Sequence, residues 1–223
     1  DLRSADPDKP FFAYFCPGAC HSPHQAPPEW REHYLGRFDE GWDVARGRWV
    51  ARQHELGVIP PETAVAPRNP GVEAWDALPE NHRKLACRLQ EAFAAFLDHT
   101  DAQIGRLLEA LEALGRLDDT VIVLLSDNGA EDGVLADRMP QQAEPDEAIA
   151  RLDDIGGPSS HANYPWGWAQ AGNTPFRWYK QNTHEGGVHV PCIVHWPAGI
   201  EDPGGRRDQF HYVTDIAPTV YEI

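Results

Sequence analysis

The sequence is short of positive charge, sulfur and long apolar runs, and each shortage removes a class of protein. Its 19 Lys and Arg stand against 35 Asp and Glu, a formal net charge of −16 at pH 7. That balance argues against nucleic acid as a partner, since phosphate-backbone binding needs Lys and Arg clustered on one face. A small anionic ligand stays open, because a site answers to its own cations rather than to the summed charge. The longest apolar runs, such as Val121 to Leu125, fall far short of the ~20 residues of a spanning helix. A soluble protein without a membrane span is expected, its compartment cytoplasmic or periplasmic. Four cysteines (Cys16, Cys20, Cys87 and Cys192) are sparse for a disulfide scaffold. Cys87 and Cys192 lie inside apolar periodic segments, so buried free thiols are expected. The chain opens on "DLRSADPDKP", with neither an initiating Met nor a signal pattern, and closes on "APTVYEI" without a polar tail. Both ends are expected to be cuts within a longer sequence.

What is present suits a globular domain, or most of one, with 41% apolar and 24% charged residues. "PFFAYF", 10 to 15, reads as a buried strand running into the turn-rich "CPGACHSPHQAPP". From Pro28 to Leu56 the pattern is helical with interleaved tryptophans, and 57 to 79 is an irregular surface excursion rich in Pro and Gly. From Pro79 to Gly115 apolar residues recur at spacings of three and four, predicting a long amphipathic helix closed by Gly115. "TVIVLL", 120 to 125, is a β-branched run of the kind buried on both faces of a parallel sheet. Residues 131 to 163 are polar without periodicity. "VPCIVHW", 190 to 196, predicts another strand, and "HYVTDIAPTVYEI" an extended piece leading into a helix. Helix, turn and strand in this order predict an α/β fold.

In open α/β sheets ligands bind beyond the carboxyl ends of strands, which directs attention to the residues that follow each one. After "TVIVLL" come Ser126, Asp127, Asn128 and Gly129. A carboxylate and an amide oxygen suit a hard divalent cation, with Gly129 allowing a sharp turn. Asn-Gly equally describes a turn or helix cap, although no second alternating strand follows as a hairpin would require. In the proline-rich loop after "PFFAYF", His21 and His24 admit three roles: zinc ligands without a third and fourth partner at usual spacing, a donor to an anionic substrate, or exposed loop residues. Lys180 precedes "EGG" at 185 to 187 and then a strand, so it is either a cation on an ordered turn or an ordinary surface lysine. His184 and Glu185 invite acid–base roles, but Glu-Gly-Gly more simply describes a tight turn whose glycines permit positive φ.

Taken in order, "FFAYFCPGACHSPHQAP", "GRLDDTVIVLLSDNGAE", "GNTPFRWYKQNTHEGGVHVPCIVHWPAGI" and "FHYVTDIAPT" resemble the sulfatase family, and within it bacterial arylsulfatases. The resemblance spans nearly the whole chain. It implies the alkaline-phosphatase-like three-layer α/β/α sandwich, with helices covering a large, mixed, mostly parallel sheet. It also implies that residues 1 to 223 are the central and later portion of one catalytic domain, in an enzyme that hydrolyses small sulfate monoesters. Asp127 and Asn128 match two metal ligands, the metal being Ca²⁺ with Mg²⁺ as the alternative. Lys180 and His21 match residues that contact the sulfate and serve catalysis, whereas His24 falls at a variable position. Asp127 and Asn128 are expected within ~10 Å of His21 and Lys180, a distance set by cation-site geometry. The chain also departs from the family. It contains "CPGAC" but no C/S-x-P-x-R motif, the source of the formylglycine nucleophile, and it lacks the N-terminal acids of the metal shell and the Lys and His of the intervening segment. His189 stands where an arginine is common. The 223 residues alone are therefore expected to be inactive. A phosphate or phosphonate monoester hydrolase of the same superfamily, or a non-catalytic anion-binding relative, would share the same anion logic.

Overall fold

Six α-helices and two strands are seen in the computed structural model, which describes residues 9–131 and 149–223. In chain order these are α1 (Pro28–His33), α2 (Gly41–Glu55), α3 (Glu80–Ala113), β1 (Ile122–Leu125), α4 (Trp166–Gly172), α5 (Glu185–Val188), β2 (Cys192–His195) and α6 (Ile216–Glu222). Single 3-10 turns occupy Trp75–Ala77, Leu152–Asp154 and Val213–Asp215. The chain forms two compact units, one of Asp1–Leu107 with Leu125–Cys192, the other of Leu108–Leu124 with Ile193–Ile223. Among the described residues no helix is long and apolar enough to cross a membrane.

The first unit is organised by tryptophan. Trp42 of α2, Trp75 and Trp168 of α4 meet edge to face, with centroids 4.8 Å apart for Trp42–Trp75 and 6.0 Å for each pairing with Trp168. Such edge-on contacts add to the large area these rings bury. The indole N–H of Trp168 donates to Ala86 O at 3.0 Å and that of Trp42 to Glu73 O at 3.1 Å, so neither buried donor is wasted. Gly41, at φ +79°, has no room for a Cβ because the Trp75 ring occupies it. Residues 57–79 are tied to these helices by side chains: Gln170 accepts from Asn69 N–H and donates to Pro67 O, while Arg46 donates to Ala66 O and to the Thr174 hydroxyl.

The long helix and its stop follow the sequence pattern. Gly115 adopts φ +63°, its N–H donates to Glu112 O, and Arg116 N–H donates to Leu111 O. This is the Schellman arrangement that a glycine just past a helix end allows. Burial along α3, however, is confined to the half from Leu85 to Ala95, and Leu97 and Leu107 are exposed. The predicted helix from Pro28 to Leu56 is in fact two, broken around Gly36 and Gly41, both at positive φ.

The sheet differs more. The described residues hold one two-stranded sheet, β1 beside β2, and not a large one. Val123, Leu124, Leu125, Ile193 and Val194 are exposed, so β1 is not buried on both faces. "PFFAYF" is not a strand; no described segment pairs with it, and Phe12 and Tyr14 are more than four-fifths exposed. A strand exists only through ladder hydrogen bonds, and apolar composition cannot supply a partner. The cysteines are all free thiols, but Cys16 and Cys192 are exposed rather than buried. Cys87 alone of the four is buried. Burial, then the charges of Asp39 and Glu91, push its thiol up to about 12.

Candidate anion and metal site

Three polypeptide segments meet in the first unit, and three glycines explain how closely they approach. Gly129 N–H donates to Gly187 O at 3.1 Å, and Lys180 N–H donates to Ala130 O at 3.0 Å. A Cβ on Gly129 would collide with Gly186 O, one on Gly186 with the carbonyls of Trp178 and Arg177, and one on Gly187 with Asn182 O. None of these three glycines has positive φ, so the expected turn conformation is corrected. They are needed because backbone lies against backbone, and "EGGV" is the short helix α5.

Asn173 fastens the same segments. Its side-chain oxygen accepts from Ala130 N–H at 3.0 Å, and its amide donates to Trp178 O at 2.9 Å and Gly186 O at 2.7 Å. Lys180 is bracketed by Trp178 and Gln181, at φ +66° and +72°. Side chains seldom adopt that region unless their surroundings impose it, and such strain gathers at working sites.

On this frame the structure brings His21 and Lys180 together. Lys180 Nζ lies 3.0 Å from His21 Nε2, and His21 Nδ1 lies 2.8 Å from Ser22 O. A carbonyl only accepts and an ammonium only donates. The imidazole therefore carries its proton on Nδ1 and offers the Nε2 lone pair to Lys180. A third group, which sequence reasoning missed, is Glu131: its Oε1 is 3.5 Å from His21 Nε2 and 3.8 Å from Lys180 Nζ. Burial alone would push the Glu131 carboxyl up, but the N–H of Ser22, the charge of Lys180, the Ser22 hydroxyl and, when its ring is protonated, the charge of His21 hold it below the usual carboxylate range. Nothing in the local sequence distinguished this acid from the other 34, since only the fold shows what it faces. Asn173 was missed for the same reason.

Asp127 and Asn128 follow β1 after Ser126, with Asp127 exposed and Asn128 partly buried. Ala130 is three positions along from Asp127, which keeps their Cα atoms within ~11 Å. Asp127 is also near enough to Tyr14 for its charge to push that phenol up, after the larger effects of the Cys16 thiol and of burial. Among the described residues no three His, Cys, Asp or Glu side chains converge as a metal cluster. A hard cation takes six to eight oxygens if calcium and six if magnesium, so Asp127 and Asn128 fit such an ion in kind but supply only part of its shell. No zinc cluster of His21 and His24 forms either.

His24 is instead buried, its ring 5.1 Å from both Phe93 and Tyr164. Among the described residues neither ring nitrogen has a hydrogen-bond partner of good geometry, although the Cys20 backbone is close enough to favour the charged form. Burial dominates and lowers the His24 pKa to about 4, leaving a neutral imidazole at physiological pH.

Comparison with known proteins agrees with this arrangement of motifs. A family model described as Sulfatase matches residues 2–223. The chain is 35% identical over 225 residues to an uncharacterised sulfatase of Schizosaccharomyces pombe, covering 100% of this chain and 40% of that protein. It is 30% identical over 224 residues to an arylsulfatase of Klebsiella aerogenes, covering 99% and 47%. A steryl-sulfatase of Mus musculus is 30% identical over 133 residues, 59% of this chain and 17% of that protein. The chain thus spans less than half the length of these relatives.

Proposed function

This chain belongs to the sulfatase family, and from that premise we propose that it supplies the anion-contacting and part of the metal-binding machinery of an enzyme hydrolysing sulfate monoesters, aryl sulfates foremost. The observation that carries the proposal is the meeting of Lys180 and His21 at 3.0 Å, on segments hydrogen-bonded to the one that carries Asp127 and Asn128.

Each side chain has a task its chemistry suits. Lys180 is three-quarters buried at its side chain and keeps its ammonium beside the imidazole, ready to donate to a sulfate oxygen. His21, the more exposed partner, exchanges its Lys180 contact for a sulfate or leaving-group oxygen, donating from Nε2 once protonated. Asp127 and Asn128 present oxygens to a divalent cation, Ca²⁺ in this reading. When bound, that cation supplies Lewis-acid stabilisation of charge on the sulfate oxygens. The nucleophile is a formylglycine outside these residues, so the 223 residues alone bind but do not turn over.

The same reading extends to the fold. The exposed apolar side chains of β1, β2 and 11 to 15 fit strands of a larger mixed sheet between helical layers, with residues 1 to 223 as part of one catalytic domain. Assay of the full-length protein against an aryl sulfate and the matching aryl phosphate tests the function. Metal-dependent turnover of the sulfate is expected, and a clear preference for the phosphate would replace the sulfatase reading with a phosphomonoesterase.

A further inference from the structure

A site built to receive an anion has reason to exclude carboxylates, yet Glu131 stands against both of the groups that would receive it. Its position is built from both ends. Oε2 accepts from Ser22 N–H at 3.3 Å and from the Ser22 hydroxyl at 3.1 Å. Oε1 is thereby left facing His21 Nε2 at 3.5 Å and Lys180 Nζ at 3.8 Å. The side chain is only 13% exposed, so little water competes for these contacts. Ser22 follows His21 directly, and Glu131 follows Ala130, whose carbonyl holds the Lys180 backbone. One carboxylate therefore joins the histidine loop to the lysine segment. With His21 as the neutral Nδ1–H tautomer, the negative charge of Glu131 offsets the positive charge of Lys180.

Resting on the sulfate-ester reading above, we propose that Glu131 is a positioning residue that aligns His21 with Lys180 and, by its charge, limits how tightly the site retains sulfate. Two effects of opposite sign follow from removing that charge. The cluster gains a net positive charge, so inorganic sulfate binds more tightly. The alignment of Nε2 and Nζ loosens, so turnover slows. A carboxylate with only a packing role would weaken binding and turnover together when replaced.

The test titrates inorganic sulfate at constant ionic strength into the full-length wild-type protein and into Glu131→Gln and Ser22→Ala, and measures kcat and KM on an aryl sulfate. In Glu131→Gln the sulfate Kd is expected to fall about tenfold, equivalent to ~1.4 kcal/mol, with KM falling and kcat dropping on the order of tenfold. Ser22→Ala keeps the charge and the backbone N–H contact but loses the hydroxyl half of the clasp on Oε2. Its kcat is expected to drop while its sulfate Kd stays within about twofold of wild type, well short of the tenfold that 1.4 kcal/mol represents. A folded Glu131→Gln that binds sulfate no more tightly than wild type overturns the proposal, as does a Ser22→Ala with unchanged kcat. If the wild type turns over no sulfate ester yet Glu131→Gln still binds sulfate more tightly, the substrate reading falls and the role of Glu131 at an anion site stands.

Discussion

Lys180 Nζ lies 3.0 Å from His21 Nε2, although 159 residues separate the two in sequence. An ammonium has no lone pair, so this contact exists only with an unprotonated Nε2. Ser22 O at Nδ1 selects the same tautomer from the other side of the ring. In ¹⁵N-correlated spectra the neutral His21 ring is therefore expected to show a protonated Nδ1 and a bare Nε2. The opposite assignment would contradict the geometry.

Asn173 is the residue whose loss should most disturb the frame without touching the site groups themselves. Asn173→Ala removes one acceptor and two donors and leaves Ala130 N–H, Trp178 O and Gly186 O without that partner. A loss of about 1–3 kcal/mol in unfolding free energy is expected. Asn173→Asp should do no better, because an oxygen would then face two carbonyls. Chemical denaturation measures both, and a variant as stable as wild type would show that the three contacts carry no net stabilisation.

The thiols should separate by burial. Cys16 and Cys192 are exposed and are expected to react with an alkylating reagent in the folded protein. Cys87 is expected to react only on unfolding, since its Sγ packs under Phe38 O and burial keeps it protonated. Neither Cys16 nor Cys20 is followed by Pro and Arg at the spacing that formylglycine formation needs, so intact-mass analysis should find no aldehyde at either. Ready labelling of native Cys87 would contradict the packing of α3 against residue 38.

Local pattern was enough for some of this molecule. The three-and-four spacing of α3 and its stop at Gly115 are set by nearby residues, and the fold keeps them; the strands at 122–125 and 192–195 also form, each supplying the other's partner. The aromatic run 10 to 15 was misread because pairing is a long-range property, and no described strand lies beside it. The glycines at 129, 186 and 187 were noticed for the wrong reason: a turn is visible in sequence, whereas the approach of a second backbone is not. His21 and Lys180 were found through family motifs. Glu131, Ser22 and Asn173 carry no such signature and act through partners far along the chain, at separations of 109 residues for Ser22–Glu131 and 43 for Ala130–Asn173.

His24 gives the fold a pH dependence whose sign can be worked out. Its folded pKa is lowered from 6.5 to about 4, so between these values the unfolded chain binds a proton that the native state refuses. Its contribution to stability is complete above about pH 6.5 and is lost progressively as pH falls toward about 4. The full loss is on the order of 3 kcal/mol. His24→Phe, which keeps a ring among Phe93 and Tyr164, should flatten this part of the stability curve. Unfolding measured between pH 7 and 4 checks it, and identical curves for the two proteins would refute a buried neutral His24.

Lys180→Ala in the full-length protein, assayed for aryl sulfate hydrolysis with saturating divalent metal, tests the central claim most directly. Lys180 lies between residues at positive φ and is set against His21 and Glu131, and in the proposed function it donates to a sulfate oxygen as charge grows on it. Removing a preorganised donor of this kind lowers turnover on the order of 10²-fold or more. The account predicts that loss in kcat with the fold retained, and turnover equal to wild type would contradict it.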